Sequence, residues 1–262
     1  MMPQKRRSCL DLASHYAGNG AGVSTVPACF YNGGMAQAAV ARPASEGLTQ
    51  VYERLRHHRG PAGWWPAETP FEVCVGAILV QNTAWANVEK ALGSLRAAGR
   101  LSYGGLAGLG QDELAALIRP SGCYNVKAKR LGAFVDFLGR EYGGRIETMA
   151  ARDPRVLREQ LLGVPGIGRE TADSIVLYAV GLPLFVIDAY TRRVFRRLGV
   201  IRGDEGYDEL QRRFMDELPL DPALFNDFHA QIVMQARDIC RPRPQCARCP
   251  LDSLCPKVLE RV

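Results

Sequence analysis

The C-terminal part of the chain carries four cysteines at spacings that few kinds of site can use. They form the pattern Cys240-x5-Cys246-x2-Cys249-x5-Cys255. Four thiolates bind zinc or an iron–sulfur cluster, but structural zinc sites usually have two short Cys-x2–4-Cys knuckles, and this segment has one. The two five-residue spacers allow a short chain segment to surround a group that is larger than a single metal ion. The pattern therefore favours a [4Fe–4S] cluster, with zinc or four plain buried thiols as the alternatives.

The other cysteines do not form a disulfide framework. The chain has eight cysteines, and those outside the quartet are scattered at Cys9, Cys29, Cys74 and Cys123. Cysteines without a regular framework are typical of a protein in a reducing compartment.

The charge balance indicates a polyanionic partner. The net charge is +6 at pH 7, and most of the 33 basic residues are arginines, whose guanidinium groups suit bidentate phosphate contacts. Charge alone does not separate a nucleic acid from a membrane surface. No run of about 18 apolar residues is present, so the sequence predicts no transmembrane helix.

Apolar residues recur at helical spacing from Ser45 onward. Pro, Gly, Asn and Asp signals separate these stripes, and only residues 184–187 look extended. The sequence therefore predicts an all-α fold. The stripes are Leu48, Val51, Tyr52 and Leu55; Trp85, Val88, Leu92 and Leu95; Leu131, Phe134, Val135 and Leu138; and Ala172, Ile175, Val176 and Ala179.

Residues 1–45 differ in composition from the rest. They are rich in Gly, Ala and Ser, nearly devoid of acidic residues, and without a sustained period. This predicts a disordered or loosely packed extension. An Arg-rich, acid-poor start is also typical of a transit peptide, and Met35 is a second candidate start of translation.

A second chemical signal is the segment Leu161–Ala172, LLGVPGIGRETA, which predicts a helix, a turn and another helix. Gly166 and Gly168 permit backbone geometries and a close approach that a Cβ would block. Arg169 then opens a helix whose first N–H groups can bind an anion. Such a hairpin can hold a DNA phosphate without reading sequence. Alone, a Pro-Gly-x-Gly sequence is usually only a turn.

About twenty residues further on, Asp188 stands between an apolar segment and a basic helix, in Phe185–Arg193, FVIDAYTRR. An aspartate at such a junction usually caps the helix. A carboxylate held in a cleft can also support a developing oxocarbenium ion or activate water. The two roles are compatible.

The hairpin, the aspartate and the cysteine quartet, in this order, resemble the helix-hairpin-helix DNA glycosylases of the endonuclease III superfamily, over about residues 46–262. The resemblance implies a two-lobed fold with a DNA cleft. A six-helix lobe with the hairpin spans 71–182, and an iron–sulfur cluster lobe combines 46–70 with 183–262. Asp188 would be the catalytic carboxylate. Double-stranded DNA with damaged bases would be the partner of a monomeric protein that binds no membrane. We expect a bacterial cytoplasmic, nucleoid-associated location, with an organellar or nuclear one open.

Two departures point to a subgroup. Bifunctional members carry a lysine two residues after the second hairpin glycine, where it forms a Schiff base with the sugar, and this chain has Glu170 there. Glu170 also fits a first-turn carboxylate favoured by the helix dipole. The first cysteine spacer has five residues, where the common pattern has six. Both departures look like the 3-methyladenine DNA glycosylase III branch.

Segments 71–85 and 122–130 and the pair Trp64 and Trp65 are also similar to that branch. With Trp85, these tryptophans fall where the branch supplies its aromatic base pocket. Tryptophans are more often core residues. However, 3-methyladenine carries a delocalised positive charge, which prefers the face of an indole.

Other residues have weaker assignments. Gln81 matches the superfamily residue that fills the gap left by an extruded nucleotide, or it is a polar residue at a helix end. His229 invites a catalytic role, but a structural histidine is the stronger interpretation. A basic cluster is expected to contact the DNA backbone or solvent: Arg192, Arg193, Arg196 and Arg197.

The leading hypothesis is a monofunctional DNA glycosylase that hydrolyses the N-glycosidic bond of damaged, 3-methyladenine-like bases. One alternative is an endonuclease III-like glycosylase and AP lyase acting on oxidised pyrimidines, with another lysine as nucleophile. A second alternative is a catalytically silent DNA-binding iron–sulfur protein, against which the intact motif around Asp188 argues.

Overall fold

The computed structural model describes residues 44–257, so the interpretation of residues 1–45 falls almost wholly outside the described part. Within it, the regular structure is helical and no strand is present, which confirms the all-α fold. None of the described helices is both long and apolar enough to cross a membrane. The α-helices are α1 (Ala44–Arg59), α2 (Pro70–Leu79), α3 (Trp85–Ala97), α4 (Tyr103–Ala107), α5 (Gln111–Leu117), α6 (Tyr124–Tyr142), α7 (Pro154–Leu162), α8 (Arg169–Ser174), α9 (Ala189–Arg197), α10 (Tyr207–Glu217) and α11 (Pro222–Asp238).

One hydrophobic cluster is built by α2 to α8 and contains buried residues from Phe71 to Leu184. Helix α2 lies at its centre, because every residue from Phe71 to Leu79 is buried. Apart from Glu72, which pairs with Arg96 at 2.7 Å, the buried side chains of this helix are apolar and need such surroundings. The predicted stripes of α6 and α8 also face this cluster, where Phe134 and Ala172 are fully buried.

A second hydrophobic cluster joins α1 with α9, α10 and α11, and its rings include the fully buried Phe185, Phe195 and Phe228. The predicted stripe of α1 is buried here. Residues 184–187 have no regular secondary structure and run buried between the clusters. The two clusters support the predicted two lobes, whose boundaries stay a prediction. Trp65, from the segment assigned to the cluster lobe, packs against the first cluster.

A buried polar network connects α7 and α8 with α10. Arg158 Nε lies 2.7 Å from Asp173 Oδ1, and its Nη2 lies 2.6 Å from Asp208 Oδ1. The amide of Gln211 donates to Asp173 Oδ2 at 2.6 Å and to the carbonyl of Phe185 at 2.7 Å. Because each buried group has a partner, the network holds the hairpin helices against the second cluster.

The predicted hairpin is formed by α7, a tight turn and α8. Asp153 caps α7 by accepting from the N–H groups of Arg155 and Val156. The turn places Gly166 at φ +87°, where a side chain is strained, and the aliphatic part of Arg130 occupies the space a Cβ would need. The turn therefore requires glycine at this position.

Candidate active site

A cleft of about 1040 Å³ is lined by the turn between α2 and α3, the hairpin, the start of α9 and the face of α11. It gathers the predicted catalytic carboxylate, the base-pocket tryptophans, the wedge residue and the hairpin residues, but not the basic cluster of α9. These residues come from four separate parts of the chain, and their roles stay predictions. They are Trp64, Trp65, Gln81, Trp85, Gly166, Gly168, Arg169 and Asp188.

Asp188 lies at the N-terminus of α9 and is 9% exposed. Its Oδ1 accepts hydrogen bonds from the N–H and the O–H of Thr191, at 2.6 and 2.8 Å. Oδ2 takes no part in this cap and lies 3.6 Å from His229 Nε2. Burial opposes the charge of Asp188, but His229 and then Thr191 outweigh it and lower the pKa of the carboxyl. The cap thus leaves an ionised carboxylate at the wall of the cleft.

Glu170, in the first turn of α8, lies in the same cleft. Desolvation raises its pKa, the charge of Asp188 adds to the rise, and His229 acts in the opposite direction. Two carboxyl groups of one cleft therefore have pKa values moved in opposite directions, an arrangement that suits different protonation states.

Three indole rings form an aromatic wall of the cleft. The rings of Trp65 and Trp85 meet edge to face at 5.2 Å, and those of Trp64 and Trp65 at 6.0 Å. The rings pack close to the backbone of α2 at Gly76, where a Cβ would be in ordinary van der Waals contact, 3.4 Å from Trp65 and 3.5 Å from Trp85. The indole N–H groups of Trp64 and Trp65 have no hydrogen-bond partner among the described residues. Both N–H groups are buried, so what the wall offers to a base is its ring faces.

Gln81 is held against the hairpin. Its amide nitrogen donates to the carbonyl of Gly166 and the hydroxyl of Thr171, and its amide oxygen accepts from Arg130. The proposed insertion of this side chain into DNA requires that these bonds break. Arg169 is also paired, with its Nε 3.1 Å from Asp208 Oδ2, although more than half of its side chain is exposed.

The four cysteines of the C-terminal quartet line one small cavity together with Ile239 and Arg197, and none forms a disulfide. Two donors reach their sulfur atoms: Arg197 Nη1 lies 3.4 Å from Cys240 Sγ, and Gln235 Nε2 lies 3.1 Å from Cys249 Sγ. Such donors stabilise negative charge on thiolate ligands. Among the described residues, no group of His, Cys, Asp or Glu side chains is arranged to hold a metal ion. Four thiols that line one cavity are nevertheless the donor set that an iron–sulfur cluster needs, and the cluster itself stays a prediction.

Two arginines of α9 support this loop. Arg193 donates to the carbonyl of Cys240 at 2.9 Å, and Arg197 donates to the carbonyls of Arg241 and Pro242 at 2.6 and 3.1 Å. The expectation that they contact DNA or solvent is therefore wrong for the buried Arg197, whereas Arg193 is partly exposed and its expectation stays a prediction. The cysteine loop has little regular secondary structure to supply partners for its backbone carbonyls. The guanidinium groups of these arginines donate the hydrogen bonds instead.

Two residues of the site were not found from the sequence. Tyr178 hydrogen-bonds to His229 behind the aromatic wall, and Thr171 holds Gln81. Tyr178 is adjacent in sequence to the apolar stripe that ends at Val176 and Ala179, and helical periodicity alone gives it no role. The only signal was a hydroxyl in an otherwise apolar turn, which needs a partner when buried.

The comparisons with known proteins agree with this geometry. A protein of Methanocaldococcus jannaschii, named as a candidate DNA repair glycosylase, is 43% identical over 211 residues, which are 80% of this chain and 96% of its own. Endonuclease III of Thermotoga maritima is 32% identical over 187 residues, 71% of this chain and 82% of its own. A crystal structure of H. pylori 3-methyladenine DNA glycosylase bound to 1,N6-ethenoadenine superposes with a TM-score of 0.64 and 31% identity, over 74% and 97% of the two chains.

The helical fold, the hairpin and the cleft define a base excision DNA repair protein, and the model of the HhH-GPD superfamily of such proteins matches residues 75–220. The chain belongs to this superfamily. We assign it as a DNA glycosylase of the endonuclease III type, which confirms the resemblance noted in the sequence.

Proposed function

We propose that this glycosylase is monofunctional and hydrolyses the N-glycosidic bond of alkylated, 3-methyladenine-like bases in double-stranded DNA. The observation that carries the proposal is a single cleft that holds both the indole wall and Asp188. The similarity to the H. pylori 3-methyladenine glycosylase gives independent support.

The residues fit the chemistry of a cationic leaving base. An indole face binds a delocalised positive charge better than a neutral ring does. A base that is already cationic leaves readily, so Asp188 needs only to support the sugar as it becomes an oxocarbenium ion and to orient the attacking water. Its lowered pKa keeps it ionised at neutral pH.

The cleft also lacks the usual agent of a lyase. Among the described residues that line it, none is a lysine, and Glu170 occupies the position of the Schiff-base lysine. Lys127 is 2% exposed, and its Nζ is held by the carbonyls of Leu79 and Ser121. A nucleophilic amine is therefore absent where the sugar would lie.

We also propose that Cys240, Cys246, Cys249 and Cys255 hold a [4Fe–4S] cluster. When bound, the cluster would cross-link the C-terminal loop, which has little regular structure of its own. Arg197 and Gln235 would then hydrogen-bond to ligand sulfurs.

Release of free bases tests the function. The enzyme is incubated with methylated DNA, oxidised DNA, and duplexes with uracil or thymine mismatches, and the released bases are identified by mass spectrometry. We expect 3-methyladenine from methylated DNA, and abasic sites that break only after alkali. Asp188→Asn and Trp85→Ala should abolish release, with Trp85→Phe retaining part of it.

Two results would contradict the proposal. Preferential release of oxidised pyrimidines would overturn the substrate class. Strand cleavage without alkali that survives Asp188→Asn, together with a complex trapped by borohydride, would overturn the monofunctional assignment, because only a Schiff base is trapped.

A further inference from the structure

A chain of polar contacts lies directly behind Asp188. Helix α8 runs on into a π-helical turn at Ile175–Ala179, where the N–H of Val180 donates to the carbonyl of Ile175. Such turns are rare and occur often at functional sites. This turn carries Tyr178, whose hydroxyl meets His229 Nδ1.

The direction of that hydrogen bond follows from the group on the other side of the imidazole. Asp188 Oδ2 faces Nε2 of His229, and an ionised carboxylate can only accept, so Nε2 carries the ring hydrogen. In the neutral imidazole Nδ1 then accepts, and Tyr178 donates to it. Burial, and then the charge of Asp188, raise the pKa of Tyr178 well above its usual value, so the phenol has a proton to donate.

Nε2 is the ring atom that faces Asp188. It lies 3.6 Å from Oδ2, the carboxylate oxygen that the Thr191 cap leaves unused. His229 is 5% exposed, and its Nε2 has no hydrogen-bond partner among the described residues. A buried donor without a partner destabilises the protein. A small movement of His229 Nε2 towards Asp188 Oδ2, or a water that bridges the two atoms, is therefore favoured.

We infer that Tyr178 and His229 are positioning residues for Asp188. Tyr178 fixes the tautomer and orientation of the imidazole, and the Nε2–H of His229 holds Oδ2 at the cleft wall. The inference rests on the proposed function in that it takes Asp188 as the reacting carboxylate. Tyr178 also packs on Trp65 at 5.2 Å, which places the pair between the base pocket and the carboxylate.

Two variants of His229 separate a donor from a space-filling ring. His229→Gln keeps an N–H donor at about the place of Nε2, whereas His229→Leu has similar bulk and no donor. Single-turnover base release and DNA affinity are measured for both, with thermal unfolding as the check of folding. We expect His229→Leu to lower the rate by up to about 100-fold at unchanged DNA affinity, because the carboxylate is no longer held in place, and His229→Gln to retain most of the rate.

The inference is overturned if folded His229→Leu reacts like the unmodified enzyme, or if His229→Gln is as slow as His229→Leu. Tyr178→Phe keeps the ring and removes the hydroxyl, and it should also lower the rate. An unchanged rate in Tyr178→Phe would show that Tyr178 is not a positioning residue.

A second readout needs no substrate. The titration of the Asp188 carboxyl is followed by carbon-13 NMR in the unmodified protein and in His229→Leu. His229 lowers the pKa of Asp188, so the variant should titrate at higher pH, and the acidic limb of its rate profile should move the same way. The other titratable groups facing Asp188, Glu170 from α8 and Tyr178 from the π-helical turn, are the same in both proteins.

Base release and the NMR titration distinguish a failure of the proposed function from a failure of the inference about Tyr178 and His229. If the unmodified enzyme releases none of the tested bases, the proposed function fails while the NMR titration still decides the inference. An Asp188 titration that does not move in His229→Leu overturns the inference, whatever the substrate proves to be.

Discussion

Gln81 donates a hydrogen bond to the backbone carbonyl of Gly166, 3.1 Å away, and so ties the turn after α2 to the hairpin. A second bond, to Thr171 at 2.9 Å, fixes the same amide. The residue matched to the DNA wedge is thus also a brace of the hairpin. Inserting it into a duplex exchanges these bonds for contacts with the gap left by the flipped nucleotide.

Gln81→Ala should lower the rate of base release by about 10-fold on intact duplex, because flipping loses the wedge that offsets part of its cost. The loss should be much smaller when the target base stands opposite an abasic site, where less stacking has to be broken. Single-turnover kinetics on both duplexes measure this difference.

Thr171→Val is the matched control, since it removes the hydroxyl that holds Gln81 and leaves the wedge in place. It should react within about 2-fold of the unmodified enzyme on both duplexes, because a single neutral hydrogen bond contributes little net free energy. Equal losses in Gln81→Ala on the two duplexes would show that Gln81 acts only as the brace.

Glu170→Lys should create a lyase. An amine at this position would stand in the cleft close to Asp188, whose charge already acts on Glu170, and an amine there can attack the sugar. We expect a protein–DNA complex trapped by borohydride and strand cleavage without alkali. Glu170→Gln removes the charge without adding an amine and should give neither. A folded, DNA-binding Glu170→Lys without a trapped complex would contradict the prediction.

The purified protein should be brown and contain about four irons and four sulfides per chain, as a [4Fe–4S] cluster requires. Cys246→Ser should lose most of the iron and the visible absorption. Cys123→Ser, which changes an exposed cysteine outside the quartet, should retain both. A measurement of one zinc per chain, with no iron or sulfide, would contradict the cluster. It would show that the quartet binds zinc, the alternative that the spacing left open.

The parts of this site that are local in sequence could be predicted. The cysteine spacing, the hairpin turn and the cap at Asp188 each depend on a few neighbouring residues. The roles of Tyr178 and Arg197 could not, because they depend on partners about 50 residues away in the chain: His229 for Tyr178, and the cysteine loop for Arg197. Periodicity places such side chains on a face but does not give the partner of a hydroxyl or a guanidinium group.

The Arg158 and Asp173 pair offers a test of what holds the hairpin to α10. Asp173 is fully buried, and the side chain of Arg158 is 11% exposed. Asp173→Ala removes the buried carboxylate and leaves the guanidinium paired only with the half-exposed Asp208, so we expect the free energy of unfolding in urea to fall by about 1–3 kcal/mol. The double variant Arg158→Met, Asp173→Leu should be much closer to the unmodified protein, since both charges are then removed.

The exposed pair Arg202 and Asp204, 3.1 Å apart and about three-quarters exposed, is the matched control. Asp204→Ala should leave the urea midpoint of unfolding nearly unchanged, because solvent screens a surface pair. If Asp173→Ala cost no more than Asp204→Ala, the network would not be what holds the hairpin. If the double variant were as unstable as Asp173→Ala, the loss would come from packing around Asp173 rather than from the broken ion pair. Only a large single loss that the double variant restores assigns the stabilisation to the buried pair.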